Sequence, residues 1–385
     1  MPMKAYSTPF SEKLRRIDPV VLICALILSS VSCLMLFGGR HYLKNGTRLF
    51  VMQVGATVIG VIAMVIISMI DYEVVLRKLW IPCAVFSVGI LAYTLKFGIA
   101  VGENRSWIDL KFMTIQPSEF VKTTFIVTFA KHLDLVKKDI NKIWVLAGLG
   151  AHAGVILLLL LKSGDLGVTL VFCGAVAIML YCAGLSAFYF IGVLGALFIA
   201  TPYVWPKLHQ YQQERIIYGF NPEGDPLGKG MQPLQGRTCV ASGGFFGRGF
   251  SGAENYRTLY SAESDFSFST VCEMFGLLGG AIVIITMAVL VVRIFMIARK
   301  DAGSFICAGV AAFIVIQTME NVGMCLAMLP VVGITLPLIS GGGSSTFAVY
   351  LLLGMVQSVA SHRVKYFFER EGVGMSRAGA DAEIV

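Results

Sequence analysis

Long apolar runs separated by short polar breaks repeat along most of the chain. Each run is about 20 residues long, which is the length of α-helix that crosses the hydrocarbon core of a bilayer. The pattern therefore predicts an all-α polytopic membrane protein with about ten transmembrane helices. The predicted spans are 18–38, 48–70, 79–96, 117–132, 143–161, 166–184, 186–204, 268–297, 303–329 and 343–361.

One polar segment, 203–267, is much longer than the other breaks. Its stretch 211–216 has the composition of an amphipathic helix that lies on a membrane surface, and 221–226 is rich in turn residues. We predict a large extracellular loop that carries amphipathic helical segments. Residues 1–385 then form a single integral membrane domain, with a cytoplasmic N-terminal tail, 1–17, and a cytoplasmic C-terminal tail, 362–385.

Composition strengthens the membrane assignment. Apolar residues make up 56% of the chain and charged residues 14%, and the mean hydropathy is +0.77, which excludes a soluble protein of this length. The net charge of +8 is scattered over short loops, so positive-inside signals and anionic lipid headgroups explain it better than nucleic acid. Most of the nine cysteines lie in apolar runs without a CxxC pair, which supports neither disulfides nor a zinc site.

The distribution of lysine and arginine predicts the orientation. The tails and the loops near 71–78, 131–142 and 293–301 hold most of the short-loop basic residues, so we place them in the cytoplasm. The segments 97–116, 162–165, 203–267 and 330–342 then lie outside.

Several ionisable residues cluster in these outer segments. Asp265 closes the long loop where water meets lipid, and Glu273 follows two turns later. Glu119 and Lys122 lie three residues apart on a helix that begins at Pro117, where a missing N–H costs nothing. They form either a structural ion pair or a pair that faces substrate, and ionisable residues at membrane depth favour the second reading.

Three further outer features have both a structural and a functional interpretation. Asp165 precedes an apolar run, as a helix N-cap does. The glycine-rich run 242–250 could cradle a diphosphate with its N–H groups or pack closely onto lipid. Ser344 and Ser345 would open the last helix, whose N-terminus attracts anions.

These outer motifs resemble those of the SEDS family (shape, elongation, division and sporulation). The matching elements occur in the family's order over roughly 100–345, and the number of predicted spans agrees as well. They are Arg105-Ser-Trp-Ile, Gln116-Pro-Ser-Glu-Phe-Val-Lys122, Glu214-Arg-Ile216, the run 242–249, Asp265-Phe266 with Glu273-Met-Phe-Gly276, and Leu336-Pro-Leu-Ile-Ser-Gly-Gly-Gly-Ser-Ser345.

The resemblance implies a peptidoglycan glycosyltransferase that polymerises lipid II at the outer face of the bacterial cytoplasmic membrane, in elongation, division or sporulation. It also implies a class B penicillin-binding protein as partner, and it assigns the essential outer aspartate to Asp265. A carboxylate there suits a general base, and the diphosphate leaving group needs cations or a divalent metal, magnesium or manganese, that Asp265 could help to bind. The expected substrate-binding residues are Arg105, Lys111, Glu119, Lys122, Asp165, Arg215, Arg248, Ser344 and Ser345, and the expected supporting residues are Gln116, Pro117, Glu273, Asn321 and Pro337.

The chain departs from the family pattern at three places. Glu263 and Gly341 stand where the family often has His and Tyr, and Gly164 replaces a proline.

Two other functions are kept as alternatives. A lipid II flippase or transporter would also have about ten spans with interrupted helices, and a non-catalytic scaffold could recruit the crosslinking enzyme.

Overall fold

The computed structural model describes residues 16–43, 45–101, 104–110, 114–208, 210–298 and 302–362. A helix lies at each of the ten predicted span positions, which confirms the predicted fold class. We name them α1 (Pro19–Gly39), α2 (Gly46–Ser68), α4 (Trp80–Phe97), α5 (Pro117–Val136), α6 (Ile143–Lys162), α7 (Leu166–Cys182), α8 (Ala187–Val204), α12 (Ser267–Ile297), α13 (Ala302–Cys325) and α14 (Gly343–Ser361).

Eight of these helices are long and apolar enough to cross a membrane. The other two are α5 and α7. Helix α5 carries five charged or histidine side chains in its length, and α7 has only 17 residues. The predicted span 303–329 is too long, because α13 ends at Cys325 and an irregular segment follows.

The connections contain four short helices and one small sheet. The helices are α3 (Tyr72–Lys78), α9 (Gln210–Phe220), α10 (Met231–Ser242) and α11 (Gly249–Gly252). Helix α9 confirms the helix predicted at 211–216, whereas α10 and α11 were not predicted. Strands β1 (Ile99–Val101), β2 (Asn104–Asp109) and β3 (Thr114–Ile115) pair antiparallel in that order. The sequence analysis did not predict this sheet, because its strands are too short to show a clear alternation.

Helices α13 and α14 form the centre of the protein. Their most apolar stretches are 67% and 72% buried, whereas the corresponding stretch of α8 is 0% buried. Helix α14 packs along α2, where Gly60 lies directly against the ring of Tyr350. A helix such as α8, which is apolar and unburied along its length, faces the hydrocarbon of the bilayer.

Helix α12 is kinked at Gly276, whose φ of 70° is not helical. The glycine-rich run packs into this kink through backbone hydrogen bonds. Leu277 N donates to Gly244 O over 2.8 Å, and Arg248 N donates to Glu273 O over 2.9 Å. The glycines of the run thus pack onto protein backbone, because only glycine allows two chains to approach this closely. Contact of the run with lipid or with a diphosphate stays a prediction.

We expect Gly276→Ala to lower the free energy of unfolding by about 2–4 kcal/mol. A Cβ there would lie 2.3 Å from Gly247 N, and alanine at positive φ costs roughly 1–2 kcal/mol by itself. Denaturant titration of the purified protein in detergent measures the change. Gly184→Ala is the matched control, because Gly184 also has a positive φ but no atom within 4 Å of its Cβ position. Equal losses in both variants would contradict close packing at the kink.

Candidate active site

The backbone around Asp265 is held by contacts from two other parts of the chain. The carbonyl of Asp265 accepts a hydrogen bond from Asn321 Nδ2 at 2.7 Å. The carbonyls of Ser264 and Glu263 accept from Ser340 Oγ and Gly341 N, each at 2.6 Å. Three successive carbonyls are thus fixed, so the Asp265 side chain projects from a rigid loop.

The partners of this loop belong to α13 and to the irregular segment 326–342. Asn321 Nδ2 also donates to Ile334 O at 2.7 Å, so one amide joins the two segments. Leu336 N donates to Ser340 Oγ at 2.7 Å, and Leu336 and Pro337 are buried. This part of the irregular segment is thus buried in protein, and Asn321 supports the loop, while a supporting role of Pro337 stays a prediction. Ser340 was missed, because nothing in the sequence separates it from other serines near glycine.

The carboxyl group of Asp265 lies beside Gly333. Asp265 Oδ2 is 3.5 Å from the position that a Cβ on Gly333 would occupy. An alanine at 333 would therefore touch the carboxyl group, and a side chain larger than alanine would press on it. The pKa of Asp265 is raised to about 6, mainly by burial and then by the carboxylates of Glu263 and, more weakly, Asp165, against a hydrogen bond from Ser264. A carboxylate with this pKa is mostly ionised at pH 7 and can still hold a proton.

Asp165 lies next to this group as the N-cap of α7, which confirms the N-cap interpretation. Its Oδ1 accepts from Val168 N at 3.1 Å, and its Oδ2 accepts from Gln116 Nε2 at 2.9 Å. Burial raises the pKa of Asp165, while these two hydrogen bonds and Lys122 oppose the increase. Gln116 thus links the start of α5 to the start of α7, as a supporting residue would.

Glu119 and Lys122 form a buried ion pair. Lys122 Nζ donates to Glu119 Oε1 at 2.7 Å, and the two residues are 3% and 1% exposed. The structural reading of this pair is therefore correct, and Pro117 is at the first position of α5 as predicted. Contact of either side chain with substrate stays a prediction.

Glu273 is fully buried and anchors the loop that precedes Asp265. Its carboxylate accepts hydrogen bonds from the backbone N–H groups of Glu254, Asn255 and Tyr256 at 2.8–3.0 Å. Three N–H donors satisfy an anion without any cation. Glu273 is thus a supporting residue, and its carboxylate is not free for proton transfer.

The predicted cations differ in their placement. Arg105 and Arg248 are exposed, and Arg248 Nε donates to Ser242 O at 2.9 Å. Arg105 N donates to Ser163 O at 2.9 Å, which joins β2 to the turn before α7. Lys111 lies outside the described residues, and so does the side chain of Arg215. The substrate contacts of all four stay predictions.

Ser344 and Ser345 lie in the first turn of the last helix, as predicted, but neither is its N-cap. Gly342 is the N-cap of α14 and the helix begins at Gly343. Ser345 Oγ donates to Gly342 O at 3.0 Å, and Ser344 is 8% exposed. The predicted span 343–361 thus matches α14, and contact of the two serines with an anion stays a prediction.

Asp265 has few protein partners for holding a divalent cation among the described residues. Within the described ranges, no three side chains of His, Cys, Asp or Glu converge to hold a metal ion. Both oxygens of Asp165 already accept hydrogen bonds. A divalent cation at Asp265 would therefore take most of its ligands from the substrate diphosphate and water, and its presence stays a prediction.

This chain is similar to known proteins over most of its length. Residues 17–365 match the family model for cell cycle proteins of the FtsW/RodA/SpoVE type. Stage V sporulation protein E of Bacillus subtilis is 30% identical over 367 residues, covering 90% of this chain and 97% of that protein. Peptidoglycan glycosyltransferase MrdB of Escherichia coli K12 is 29% identical over 361 residues, covering 90% and 94%.

Solved structures show the same fold. A chain from a study of the structural coordination of polymerization and crosslinking by a peptidoglycan synthase complex has a TM-score of 0.79 and 25% identity, with 90% of this chain and 98% of that chain covered. The rod shape determining protein RodA of Thermus thermophilus has a TM-score of 0.66 and 22% identity, with 90% and 97% covered, which supports the fold alone. The resemblance of the outer motifs is thereby confirmed. The chain belongs to the FtsW/RodA/SpoVE family of cell cycle proteins.

Proposed function

We propose that this protein is a peptidoglycan glycosyltransferase that polymerises lipid II at the outer face of the bacterial cytoplasmic membrane. The observation that carries the proposal is Asp265, a carboxyl group on a rigid loop with a pKa of about 6. Relatives that align over 90% of this chain include one named peptidoglycan glycosyltransferase, which supports the same activity. The chain is a multi-pass membrane protein, and we place both termini in the cytoplasm.

Asp265 acts as the general base in this proposal. The acceptor sugar's 4-hydroxyl attacks the anomeric carbon of the donor sugar, and a new C–O bond forms as the bond to the diphosphate breaks. Asp265 takes the hydroxyl proton, and polyprenyl diphosphate leaves with the electron pair of the broken bond. A base with a pKa near the working pH is both ionised and able to bind the proton.

Cations must stabilise the diphosphate as it leaves. Arg105 and Arg248 are exposed and can turn toward it, and Lys111 and Arg215 are the remaining candidates. Lys122 is the weakest candidate, because Glu119 already neutralises it. We assign a structural role at the start of α5 to Glu119 and Lys122, and we assign binding of the diphosphate to the arginines.

We propose a class B penicillin-binding protein as the partner. The related chain with a TM-score of 0.79 belongs to a complex that coordinates polymerization with crosslinking. A polymerase that releases strands into the space outside the membrane needs such an enzyme close by. The shared fold over 90% of this chain supports the same type of assembly here.

We expect Glu263→Gln to move the acidic limb of the pH–rate profile to lower pH. Burial is the largest cause of the raised pKa of Asp265, and the Glu263 carboxylate is the next, so removing its charge lowers that pKa and keeps the base ionised in more acidic solution. The matched control is Ser264→Ala, which removes a hydrogen bond that lowers the pKa and should move the limb to higher pH. If the acidic limb of the pH–rate profile stays at the same pH in both variants, the ionisation of Asp265 does not determine that limb. The rate of polymerisation between pH 4.5 and 8 is the measurement.

The activity itself is tested with purified protein in liposomes and fluorescent lipid II. We expect glycan polymer to form with the protein alone. Movement of lipid II across the bilayer without polymer would favour the flippase alternative. Polymer that forms only when an active partner polymerase is added would favour the scaffold. Either result would overturn the proposed function.

A further inference from the structure

Acidic side chains within the ten long helices are few, and their partners can be compared. They are Glu119, Asp134, Glu273 and Glu320. Glu119 pairs with Lys122 and Asp134 with Lys137 at 2.7 and 2.8 Å, and Glu273 accepts three backbone hydrogen bonds. Glu320 differs from these, because its side chain has neither an ion pair nor a hydrogen bond with any residue that the structure describes.

Glu320 lies below the outer end of α13. Five residues separate it from Cys325, which corresponds to about 7–8 Å along the helix. Its neighbour Asn321 points toward the Asp265 loop, and a residue one step away points about 100° further around the helix. Glu320 is therefore turned away from the candidate active site and does not belong to it.

The side chain of Glu320 faces a groove between α13 and α7. Ile316, one turn below on the same face, lies against Gly174 of α7, where a Cβ would come within 2.5 Å of it. Since α7 and α13 run in opposite directions, Leu170 of α7 lies opposite Glu320. The side chain of Leu170 is 58% exposed. The groove is closed at the Ile316 level and open at the Glu320 level.

Flexible apolar side chains border the open part of the groove. Met319 and Met328 are each 66% exposed, and Met328 N donates to Gly323 O on the next turn of α13. Methionine side chains adapt to irregular apolar surfaces. The surface thus combines an apolar rim with one carboxylate that lacks a partner in the described structure.

We propose that Glu320 pairs with a lysine or arginine carried by a transmembrane helix of another protein, which docks in the groove between α7 and α13. Ionisable groups at membrane depth are found paired or facing a wet cavity, and a carboxylate selects a cation. The depth of Glu320 favours a helix-borne cation over a lipid headgroup, because headgroup ammonium groups lie above the apolar layer. The diphosphate of a lipid-linked substrate is excluded by its negative charge.

The docking site goes beyond the proposed glycosyltransferase activity and does not depend on it. A helix docked there would contact the same turn of α13 from which Asn321 holds the Asp265 carbonyl. Binding can be measured without turnover, so failure of one proposal is distinguishable from failure of the other.

The test uses two synthetic leucine-rich transmembrane peptides of about 20 residues. One carries a lysine about five residues from its outer end, and the other carries glutamine at that position. The full-length protein is reconstituted in phosphatidylcholine vesicles, and binding of each labelled peptide is titrated by fluorescence energy transfer. We expect the lysine peptide to bind about 5- to 30-fold more tightly, the range expected for a strong polar contact between helices.

Charge exchange at Glu320 separates a specific pair from general adhesion. Glu320→Gln should remove the preference for lysine, and Glu320→Lys should create a preference for a peptide with glutamate at that position. Asp134→Asn is the matched control, because Asp134 lies in a long helix but pairs with Lys137, and this variant should keep the preference. Thermal unfolding in detergent verifies that each variant is folded.

Two results would overturn the proposal. One is a preference for the lysine peptide that survives in Glu320→Gln. The other is the absence of any preference in wild type, in phosphatidylcholine vesicles and also in vesicles containing phosphatidylethanolamine. A preference that is present in phosphatidylcholine and lost when phosphatidylethanolamine is added would instead assign the carboxylate to a headgroup ammonium, which also contradicts a helix as the occupant.

Discussion

Asp265→Asn is expected to lower the rate of glycan polymerisation by about 10²- to 10⁴-fold, the usual contribution of a positioned general base. The amide has nearly the same shape as the carboxyl group but cannot accept the proton of the attacking hydroxyl. The loop keeps its geometry, because Asn321 and Ser340 bind backbone carbonyls and not the Asp265 side chain. The rate of polymer formation from labelled lipid II in liposomes measures the effect.

The stability of the same variant is a second readout. Since burial raises the pKa of Asp265 above its ordinary value, this group stabilises the fold at low pH, and that contribution is lost as the pH rises through about 6. At pH 7.5 the neutral asparagine should therefore leave stability unchanged or slightly higher. Glu223→Gln, which alters an exposed ion pair with Arg237, is the control for activity. A rate within about threefold of wild type in Asp265→Asn would remove Asp265 from the role of base.

The second large effect is expected at the buried ion pair. Glu119→Leu leaves the ammonium of Lys122 buried without its partner, and Lys122→Met leaves the carboxylate of Glu119 in the same position. Each single variant should lower the free energy of unfolding by about 3–5 kcal/mol. The double variant should recover most of this loss, because two apolar side chains of similar volume need no charge compensation.

Denaturant titration in detergent measures these changes, and a matched control is available in the same helix. Asp134 and Lys137 have the same three-residue spacing, but their side chains are 28% and 37% exposed. Asp134→Asn should therefore cost no more than about 1 kcal/mol. If Glu119→Leu costs as little as Asp134→Asn, burial does not determine the strength of the Glu119–Lys122 pair.

The helical framework was predictable because lipid imposes a strong constraint on sequence. Every backbone polar group inside the bilayer must be paired within the segment, so apolar runs of about 20 residues have essentially one solution. The ten helices lie where the hydrophobic pattern places them, and local chemistry predicted Pro117 and Asp165 at their helix starts. The three-stranded sheet was not predicted, because strands of two to six residues carry little pattern.

The functional candidates were found by residue type and position, but their roles needed the tertiary structure. Glu273 and Asp265 are both acidic and lie eight residues apart, and nothing in the sequence tells which one is free. The structure separates them, because three backbone N–H groups occupy the carboxylate of Glu273. Ser340 was missed as a residue that holds the Asp265 loop, and Glu263 was noted only as a replacement for histidine, without the effect of its charge on the pKa of Asp265.

The sequence by itself determined that the chain is a multi-pass helical membrane protein whose polar chemistry is concentrated in a few segments between the helices. Hydrophobic length and turn chemistry are local properties, and they can be read from neighbouring residues. Only the tertiary structure decided that Asn321, Ser340 and Gly341 hold the Asp265 loop and that Asp165 lies close enough to raise its pKa. These contacts join residues 56 to 100 positions apart, and such pairings depend on how the helices pack, which no local pattern records.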